Sequence, residues 1–483
     1  MSLKEKTING AKWVIIDNFL NIGISFFISI ILARLLTPAY YGLIGMSAVF
    51  ISILNVFVSS GLGKSLIRCR NVSQKDFSTV FYFNLVVCIV CYILLYIGAP
   101  LIADFYKEPV LKNIVRISGL SLIISGLSLV QNVIRIREIN FKIQAKISTI
   151  SNIIGGITGI ILAFKGFGVW SIVCQTLTRS IMNTSQYWIT SKWRPKWYFS
   201  KKIFFRHFSY GINILKSNLI ISVVDNVYSL VIGRYYSPSL LGQYSRAESF
   251  INLPTKNIQL TANSVFFPVL CSINNNMERL RAVFNRLMAI ISFVSAYLIF
   301  MFVAVSDNFI PFVIGPQWGI AIVYVKFLMI GAFLYPLKSQ NIQLINVLGR
   351  SDIYVKAVSF QRTLTIITAI IGIFTSIWVL VCGYSVLGVC SYIYNAYQVK
   401  KVAGIDIGVQ LKMILNCNWI TFTLASIVYI LGLSLNYGYC INFLIQFIMA
   451  LVLSFVTFET IKPKVYLEVK NIILEEFKKL SKL

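Results

Sequence analysis

Residues Ile31–Ile51 read ILARLLTPAYYGLIGMSAVFI, and residues Val231–Ile251, 200 positions later, read VIGRYYSPSLLGQYSRAESFI. Arg, Pro, Gly and a Phe-Ile pair recur, so that five of the 21 aligned positions are identical. In each copy the arginine marks a predicted membrane edge, the proline ends one helix and the glycine opens the next. The Arg-x-x-Ser/Thr-Pro pattern could simply be a sequence that is common in loops. However, the flanking segments also correspond in order, which favours an internal repeat.

The composition is that of a membrane protein. Of the 483 residues, 57% are hydrophobic and 12% charged, and the mean hydropathy is +0.77. Soluble chains have about 45–50% apolar and about 25% charged residues. So few charges cannot cover a soluble surface, which excludes an ordinary cytosolic enzyme, and the abundant Ile, Leu, Val and Phe exclude disorder. The sequence therefore predicts an all-α polytopic membrane protein.

The chain contains many apolar segments that are long enough to cross a bilayer. A membrane-spanning helix needs about 20 residues. We predict about 14 spans. They are 12–35, 40–63, 79–103, 114–136, 146–165, 168–189, 207–232, 240–270, 284–305, 319–345, 356–380, 384–399, 411–432 and 437–460. The segment 384–399 is short, and 240–270 is interrupted by Pro254 and Pro268.

The repeat divides these spans into two lobes. Its offset contains six spans, and because six is even, the two copies have the same orientation, as in parallel-repeat transporters. The predicted order is an N-terminal lobe (1–190), a basic cytoplasmic linker (191–205), a C-terminal lobe (206–399), two extra spans (400–460) and a tail (461–483). Apolar residues at helical spacing predict that the tail is an amphipathic helix on the cytoplasmic membrane surface.

The basic residues predict the topology. Lys plus Arg number 44 and Asp plus Glu 16, a net charge of +28. Of the 44, 32 fall on the predicted cytoplasmic side, Arg362 among them, and six fall on the opposite side. This positive-inside pattern places both termini in the cytoplasm. Because the basic residues lie between apolar runs, nucleic-acid binding is not expected.

The sequence contains no pattern typical of an enzyme or a metal site. The nine cysteines lie mostly in apolar spans and are interpreted as apolar core residues. There is no His, Cys and carboxylate cluster with metal spacing, no phosphate-binding loop of the Walker type and no carboxylate pair for glycosyl chemistry. The lone histidine, His207, is predicted to be a membrane-interface residue. We therefore expect neither an enzyme nor a metalloprotein.

Ionisable residues inside predicted spans are the candidates for function, because a charge at bilayer depth is costly and usually faces protein or a water-filled cavity. They are Asp17, Arg179, Lys216, Asp225, Glu248, Lys256, Lys326 and Lys338, with Arg246 near an outer edge. Structural alternatives stay open for several of them. Arg179 and Lys326 could snorkel or form ion pairs. Arg246 and Glu248 could lie near the interface, and Asp17 could bond to helix backbone.

Several motifs resemble those of one transporter family. The segment 33–63, ARLLTPAYYGLIGMSAVFISILNVFVSSGLG, resembles the N-terminal signature of bacterial polysaccharide transporters. These are O-antigen and capsule repeat-unit flippases, including colanic acid exporters, in the superfamily of MATE drug exporters and lipid II flippases. Motifs similar to theirs follow in order: Gln74-Lys75-Asp76, Arg137-Glu138-Ile139-Asn140-Phe141, Val265-Phe266-Phe267-Pro268, Gly315-Pro316-Gln317-Trp318 and Leu348-Gly349-Arg350. The resemblance covers roughly residues 10–400.

The resemblance implies two six-helix lobes around a central cavity, plus two extra helices. It implies alternating-access flipping of an undecaprenyl-pyrophosphate-linked oligosaccharide across the bacterial inner membrane, for lipopolysaccharide O-antigen, capsule or exopolysaccharide. Polymerase and other assembly proteins are the implied partners. No cofactor is expected apart from a coupling ion, H⁺ or Na⁺.

For such a cargo, intramembrane cations would attract the pyrophosphate. We expect Lys216, Arg246, Lys256, Lys338 and Arg179 to line the cavity. Asp17, Asp225 and Glu248 are predicted to serve coupling or charge pairing. Asp225 could pair with Lys216, bind a coupling cation or proton, or orient Arg234.

Two alternatives stay open. One is a multidrug or lipid II exporter of the same fold. The other is a membrane polysaccharide polymerase or ligase, which would need a large outer loop with catalytic residues. The longest predicted outer loops, around 102–112 and 305–318, are short for that purpose.

Overall fold

The structure is a computed structural model that describes residues 3–59 and 61–480, without the side chains of 3–12, 15, 472–473 and 476–480. Within these ranges all regular structure is helical and no strand is present. The described helices are α1 (Leu3–Leu35), α2 (Pro38–Val58), α3 (Leu62–Arg68), α4 (Gln74–Tyr106), α5 (Leu111–Gly126), α6 (Leu129–Arg137), α7 (Phe141–Phe164), α8 (Val169–Thr190), α9 (Lys201–Asp225), α10 (Val227–Tyr235), α11 (Pro238–Ser272), α12 (Met277–Ile314), α13 (Gly319–Val347), α14 (Ser351–Phe374), α15 (Ile377–Ala403), α16 (Ile407–Leu433), α17 (Tyr439–Ile461) and α18 (Lys464–Leu480). A 3₁₀ turn, Pro316–Trp318, precedes α13. The predicted all-α class is confirmed.

Each predicted span lies on one of these helices or on a consecutive pair. By length and composition, 11 of the described helical segments can cross a membrane, and the pair α5–α6, bent by 41°, makes a twelfth. Two predicted spans, those on α8 and α11, fall outside this set. Both helices carry polar and charged residues, including Arg179 in α8 and Glu248 and Lys256 in α11.

Two details of the predicted spans are wrong. The predicted break between 380 and 384 lies instead at Thr375 and Ser376, where the backbone leaves the helical region. Ser376 has an extended backbone and lies immediately before α15, at the N-cap position, where serine is favoured. The span 240–270 is not interrupted, because α11 continues through Pro254 and Pro268. Proline is tolerated in membrane helices, where neighbouring groups bond to the freed backbone.

Two compact units make up the structure, Met1–Gly242 and Gln243–Leu483. In the first unit, α7 packs against both α1 and α8, and α4 packs on α5. The seventh predicted span also belongs to this unit, because α9 packs on α2 and α3. The lobe boundary at the linker 191–205 follows the sequence repeat and stays a prediction. The linker itself is non-helical from 191 to 200, and α9 begins at Lys201.

The two copies of the repeat meet inside the first unit. A Cβ atom on Gly42 would overlap the carbonyl oxygen of Pro238, and a Cβ atom on Gly242 would overlap that of Pro38. Only glycine lets two backbones approach this closely. The repeated Pro-x-x-x-Gly motif therefore packs the first turn of α2 against the first turn of α11.

In the second unit, α13 packs on α12 and α15, and α12 also packs on α16 and α17. Apolar residues of α12, α16 and α17, among them Phe293, Leu424 and Phe458, form one core cluster. The two extra spans are thereby attached to this unit. The tail forms helix α18, and near its start Val465, Tyr466 and Val469 pack against the same cluster. The side chains of Ile473, Phe477 and Leu480 lie outside the described residues, and the placement of α18 on the membrane surface stays a prediction.

Candidate functional site

The predicted intramembrane charges divide between the two units. Asp17, Arg179, Lys216 and Asp225 belong to the first unit, and Arg246, Glu248, Lys256 and Lys338 belong to the second. Arg246 and Lys338 are buried, each with 9% of its surface exposed. Asp17 and Glu248 are half-buried, and Arg179, Lys216, Asp225 and Lys256 are exposed. Burial therefore singles out two cations of the second unit.

Lys338 lies within α13, and its ammonium is 5.0 Å from the ring centroid of Tyr335. Arg362 of α14 is close enough to repel that ammonium electrostatically. Within the part of the chain whose side chains are described, no carboxylate forms an ion pair with Lys338. A buried cation without a carboxylate and near a second cation raises the free energy of the folded protein.

Five polar side chains of three helices lie around the backbone of Lys338, and we call them the Lys338 seam. They are Gln259 and Asn263 of α11, Ser339 and Gln340 of α13, and Asn395 of α15. Gln259 of α11 donates a hydrogen bond to the Ser339 hydroxyl at 2.9 Å. Gln340 donates to the amide oxygen of Asn263 in α11 at 2.8 Å. Asn395 of α15 donates to the carbonyl oxygen of Lys338 at 3.3 Å. The seam fixes the position of the Lys338 turn between α11 and α15.

One buried amide next to the seam forms no hydrogen bond to the described residues. The Asn341 side chain is fully buried, and neither its nitrogen nor its oxygen has a hydrogen-bond partner among the described residues. An unsatisfied buried amide costs about 1–3 kcal/mol. Together with Lys338 one turn earlier, it makes this part of α13 suited to receive a polar, anionic group.

Lys256 lies on α11 one turn before Gln259, so the Gln259–Ser339 bond brings its helix segment beside the Lys338 turn. Its side chain is exposed. Lys256 and Lys338, both predicted as cavity-lining cations, therefore lie on neighbouring helix segments in the structure.

Arg246 has a structural role that the sequence did not reveal. Its guanidinium carbon lies 5.3 Å from the ring centroid of Trp318, which is fully buried. Nearby, Gln243 donates a hydrogen bond to the carbonyl oxygen of Gln317 at 2.7 Å and accepts one from the Ala321 amide at 3.0 Å. The Gly-x-x-Trp turn thus attaches to the start of α11, and Arg246 stacks on it.

Asp17 anchors a polar network between α1 and α7 in the first unit. Its carboxylate accepts hydrogen bonds from Asn21 and Ser148. One turn further, Asn152 donates to the Ser25 hydroxyl at 2.8 Å. Asp17 therefore bonds to side chains across the helix pair and not only to its own backbone.

Lys326 forms an ion pair, as one of the alternatives for it predicted. Its ammonium lies 2.7 Å from an Asp307 carboxylate oxygen and 3.1 Å from the Tyr429 hydroxyl. The contact joins α12, α13 and α16. The Lys326 and Asp307 side chains are 30% and 28% exposed, so the pair is mostly shielded from solvent.

Replacing Asp307 with Asn is expected to lower the free energy of unfolding by about 1–2 kcal/mol, because it leaves the Lys326 charge partly buried without a counter-charge. Thermal unfolding of the purified protein measures this loss. The control is Asp352→Asn, since the Arg350–Asp352 pair is half exposed and should contribute at most about 1 kcal/mol. Equal stability of the two variants would contradict a structural role for Lys326.

Two features of the structure were missed at the sequence level. Arg362 was counted with the cytoplasmic cations, but it lies 11 residues into α14, about 16 Å along the helix. His207 is fully buried. Its Nδ1 lies 2.8 Å from the Ser65 hydroxyl and its Nε2 lies 3.3 Å from an Asp76 carboxylate oxygen, beside the Arg206–Asp76 ion pair. These contacts join residues more than 100 positions apart, so local sequence patterns carry no signal for them.

The chain is similar to known proteins in both sequence and fold. The sequence profile of the polysaccharide biosynthesis protein family matches residues 31–323, more than half of the chain. The chain belongs to this family. It is 24% identical over 378 residues to the lipopolysaccharide biosynthesis protein WzxC of Escherichia coli, covering 77% of this chain and 76% of that protein. It is 24% identical over 445 residues to the teichuronic acid biosynthesis protein TuaB of Bacillus subtilis, covering 90% of both.

Solved structures confirm the architecture. The inward closed conformation of the lipid II flippase MurJ superposes with a TM-score of 0.72 at 17% identity, covering 94% of this chain and all of that one. An inward-facing multidrug resistance MATE family transporter superposes with a TM-score of 0.61 at 14% identity, covering 80% and 99%. The predicted MATE-like membrane fold and the family resemblance are therefore confirmed.

Proposed function

We propose that this chain flips a lipid-linked oligosaccharide repeat unit across the bacterial inner membrane by alternating access, for surface polysaccharide assembly. Family membership and the likeness to flippase and exporter folds support a transporter. The positive-inside charge pattern supports cytoplasmic termini. An undecaprenyl pyrophosphate carrier is the proposed lipid, and polymerase and other assembly proteins are proposed partners.

The observation that carries this proposal is the buried cation Lys338 of the second unit, which the half-buried Arg362 repels electrostatically. Lys338 lies at the Lys338 seam inside a membrane protein, and no carboxylate among the described side chains forms an ion pair with it. A buried cation of this kind destabilises the folded protein unless an anion binds beside it. A pyrophosphate or an acidic sugar supplies that anion. The exposed cations Lys216, Lys256 and Arg179 are available for the same cargo, whereas Arg246 contributes chiefly by stacking on Trp318.

The carboxylates are proposed to serve coupling. Asp17 is held by hydroxyl and amide donors between α1 and α7, so a proton or Na⁺ exchanged at this carboxylate would alter the contact between two helices. Asp225 and Glu248 are proposed to pair with nearby cations. No other cofactor is proposed.

A polymerase or ligase is the competing function, and measuring where the lipid-linked unit accumulates separates it from a flippase. In a strain lacking the gene, we expect surface polysaccharide to disappear while lipid-linked repeat units accumulate in the cytoplasmic leaflet. They should be inaccessible to a membrane-impermeant sugar-oxidising label in intact cells and become accessible in inverted vesicles.

The wild-type gene on a plasmid serves as the control and should restore both surface polysaccharide and external labelling. Accumulation of single repeat units on the outer leaflet of the deletion strain would instead indicate a polymerase, and accumulation of polymerised, carrier-linked units there would indicate a ligase. Normal polysaccharide together with sensitivity to exported drugs would favour a multidrug exporter.

A further inference from the structure

The basic linker is bound along the first turns of α4 and is not a loose tether. The backbone amide of Lys196 donates to the Ser78 hydroxyl at 3.0 Å, and the Gln74 side chain donates to the carbonyl oxygen of Arg194 at 2.7 Å. The amide of Ser200 lies 3.4 Å from the Thr79 hydroxyl. These bonds hold the segment 194–200 in a fixed position on the first unit.

An aromatic groove results from this attachment. The rings of Tyr82 and Trp197 stack with centroids 5.4 Å apart and planes 20° apart. The groove has a volume of about 490 Å³, and its lining is almost entirely apolar. The lining residues are Tyr82, Phe83, Val86, Trp197, Tyr198 and Phe199. Trp197 is 94% exposed, which is typical of tryptophan at a membrane interface.

The groove continues into a lipid-facing surface. From Val86 onward, α4 exposes a stripe of apolar side chains at helical spacing: Val86, Val90, Ile93, Ile97 and Leu101. In a span predicted to cross the bilayer, such a stripe contacts acyl chains. An acyl chain in the groove could therefore follow the stripe into the membrane interior.

Positive charge borders the groove. Residues 191–206 contain six Lys and Arg residues and no Asp or Glu. Arg206 pairs with Asp76, whereas no ion pair among the described side chains involves Lys196, Lys201 or Lys202. The Lys75 ammonium lies 5.0 Å from the ring centroid of Tyr198, at the edge of the groove. These exposed cations complement an anionic headgroup.

We propose that this groove binds an anionic bilayer phospholipid. Its acyl chain lies against Tyr82, Val86 and Trp197, and its phosphate lies among Lys75, Lys196 and the Lys201-Lys202 pair. The groove is assigned to a bilayer lipid because it continues into the α4 stripe, which in a membrane contacts the acyl chains of the bilayer. The inference does not depend on the cargo or on its coupling.

The test uses the full-length protein purified in detergent and titrated with phosphatidylglycerol or with phosphatidylcholine of the same acyl chains. The melting temperature, Tm, is the readout. We expect phosphatidylglycerol to raise Tm at lower concentration than phosphatidylcholine does. In Lys196→Gln/Lys201→Gln/Lys202→Gln, the phosphatidylglycerol concentration for half of the shift should rise at least tenfold, because each basic residue near an anionic lipid adds a separate attraction.

The matched control is Lys107→Gln/Lys112→Gln/Lys165→Gln, which removes the same charge from exposed positions on the predicted opposite side of the membrane and should keep the wild-type response. Trp197→Ala should weaken the response to both lipids, because it removes acyl-chain contact. Equal responses of the wild type to both lipids would overturn the proposal, and so would equal losses in the two triple variants. A shift that only polyprenyl pyrophosphate produces, and that the linker triple variant abolishes, would also overturn it by assigning the groove to the carrier.

Discussion

Replacing Gly42 with Ala is expected to reduce surface polysaccharide export at least tenfold. The added Cβ atom would overlap the carbonyl oxygen of Pro238, which is backbone and cannot rotate away as a side chain can. Overpacking of this kind typically costs about 1–3 kcal/mol. Gly242→Ala should act alike, because its Cβ atom would overlap the carbonyl oxygen of Pro38. Each change forces the first turns of α2 and α11 apart.

The measurement is surface polysaccharide in a deletion strain carrying each variant, together with the Tm of the purified proteins. Gly98→Ala is the control, because a Cβ atom on this glycine of α4 would meet no atom within 4 Å. It should leave export and Tm unchanged. Wild-type export and Tm in both Gly42→Ala and Gly242→Ala would show that the repeat glycines do not hold the two helix starts together.

The fold was largely predictable because it depends on local, periodic signals. Long apolar segments placed the helices, and the Arg-x-x-Ser/Thr-Pro repeat identified α2 and α11 as equivalent elements. The sequence did not predict that Gly42 and Gly242 contact the opposite copy of the motif, since that requires the tertiary arrangement. The break at Thr375 and Ser376 was misplaced because apolar residues flank these two polar residues on both sides, so the apolar segment continues across them.

The site was predictable only in part. Lys338 stood out because a lysine in an apolar span is unusual; in the structure it is buried, and its contact with the cargo stays a prediction. Arg362 was missed because its depth depends on where α14 begins, and the predicted start, five residues late, made it look superficial. Arg246 was identified as a candidate, but its stacking on Trp318 depends on a contact between residues 72 positions apart.

Lys338→Gln is expected to abolish export while leaving the protein at least as stable as the wild type. We expect loss of export without loss of stability because of the charges around Lys338. A structural cation would have a carboxylate partner, and its removal would destabilise the fold, as expected at the Lys326–Asp307 pair. Lys338 has no such partner among the described side chains and lies near Arg362, so removing its charge relieves repulsion and desolvation.

The loss of export follows from the cargo. Replacing a desolvated charge partner by a neutral amide typically costs about 2–5 kcal/mol, which is more than tenfold in a binding step. Lys338→Arg keeps the charge and should retain part of the export. The control Lys412→Gln removes an exposed charge and should be nearly silent, because exposed cations contribute at most about 1 kcal/mol. The measurement is surface polysaccharide in the deletion strain, beside the Tm of each purified variant. Full export by Lys338→Gln, or loss of export together with a matching fall in Tm, would refute recognition of an anionic cargo by this lysine.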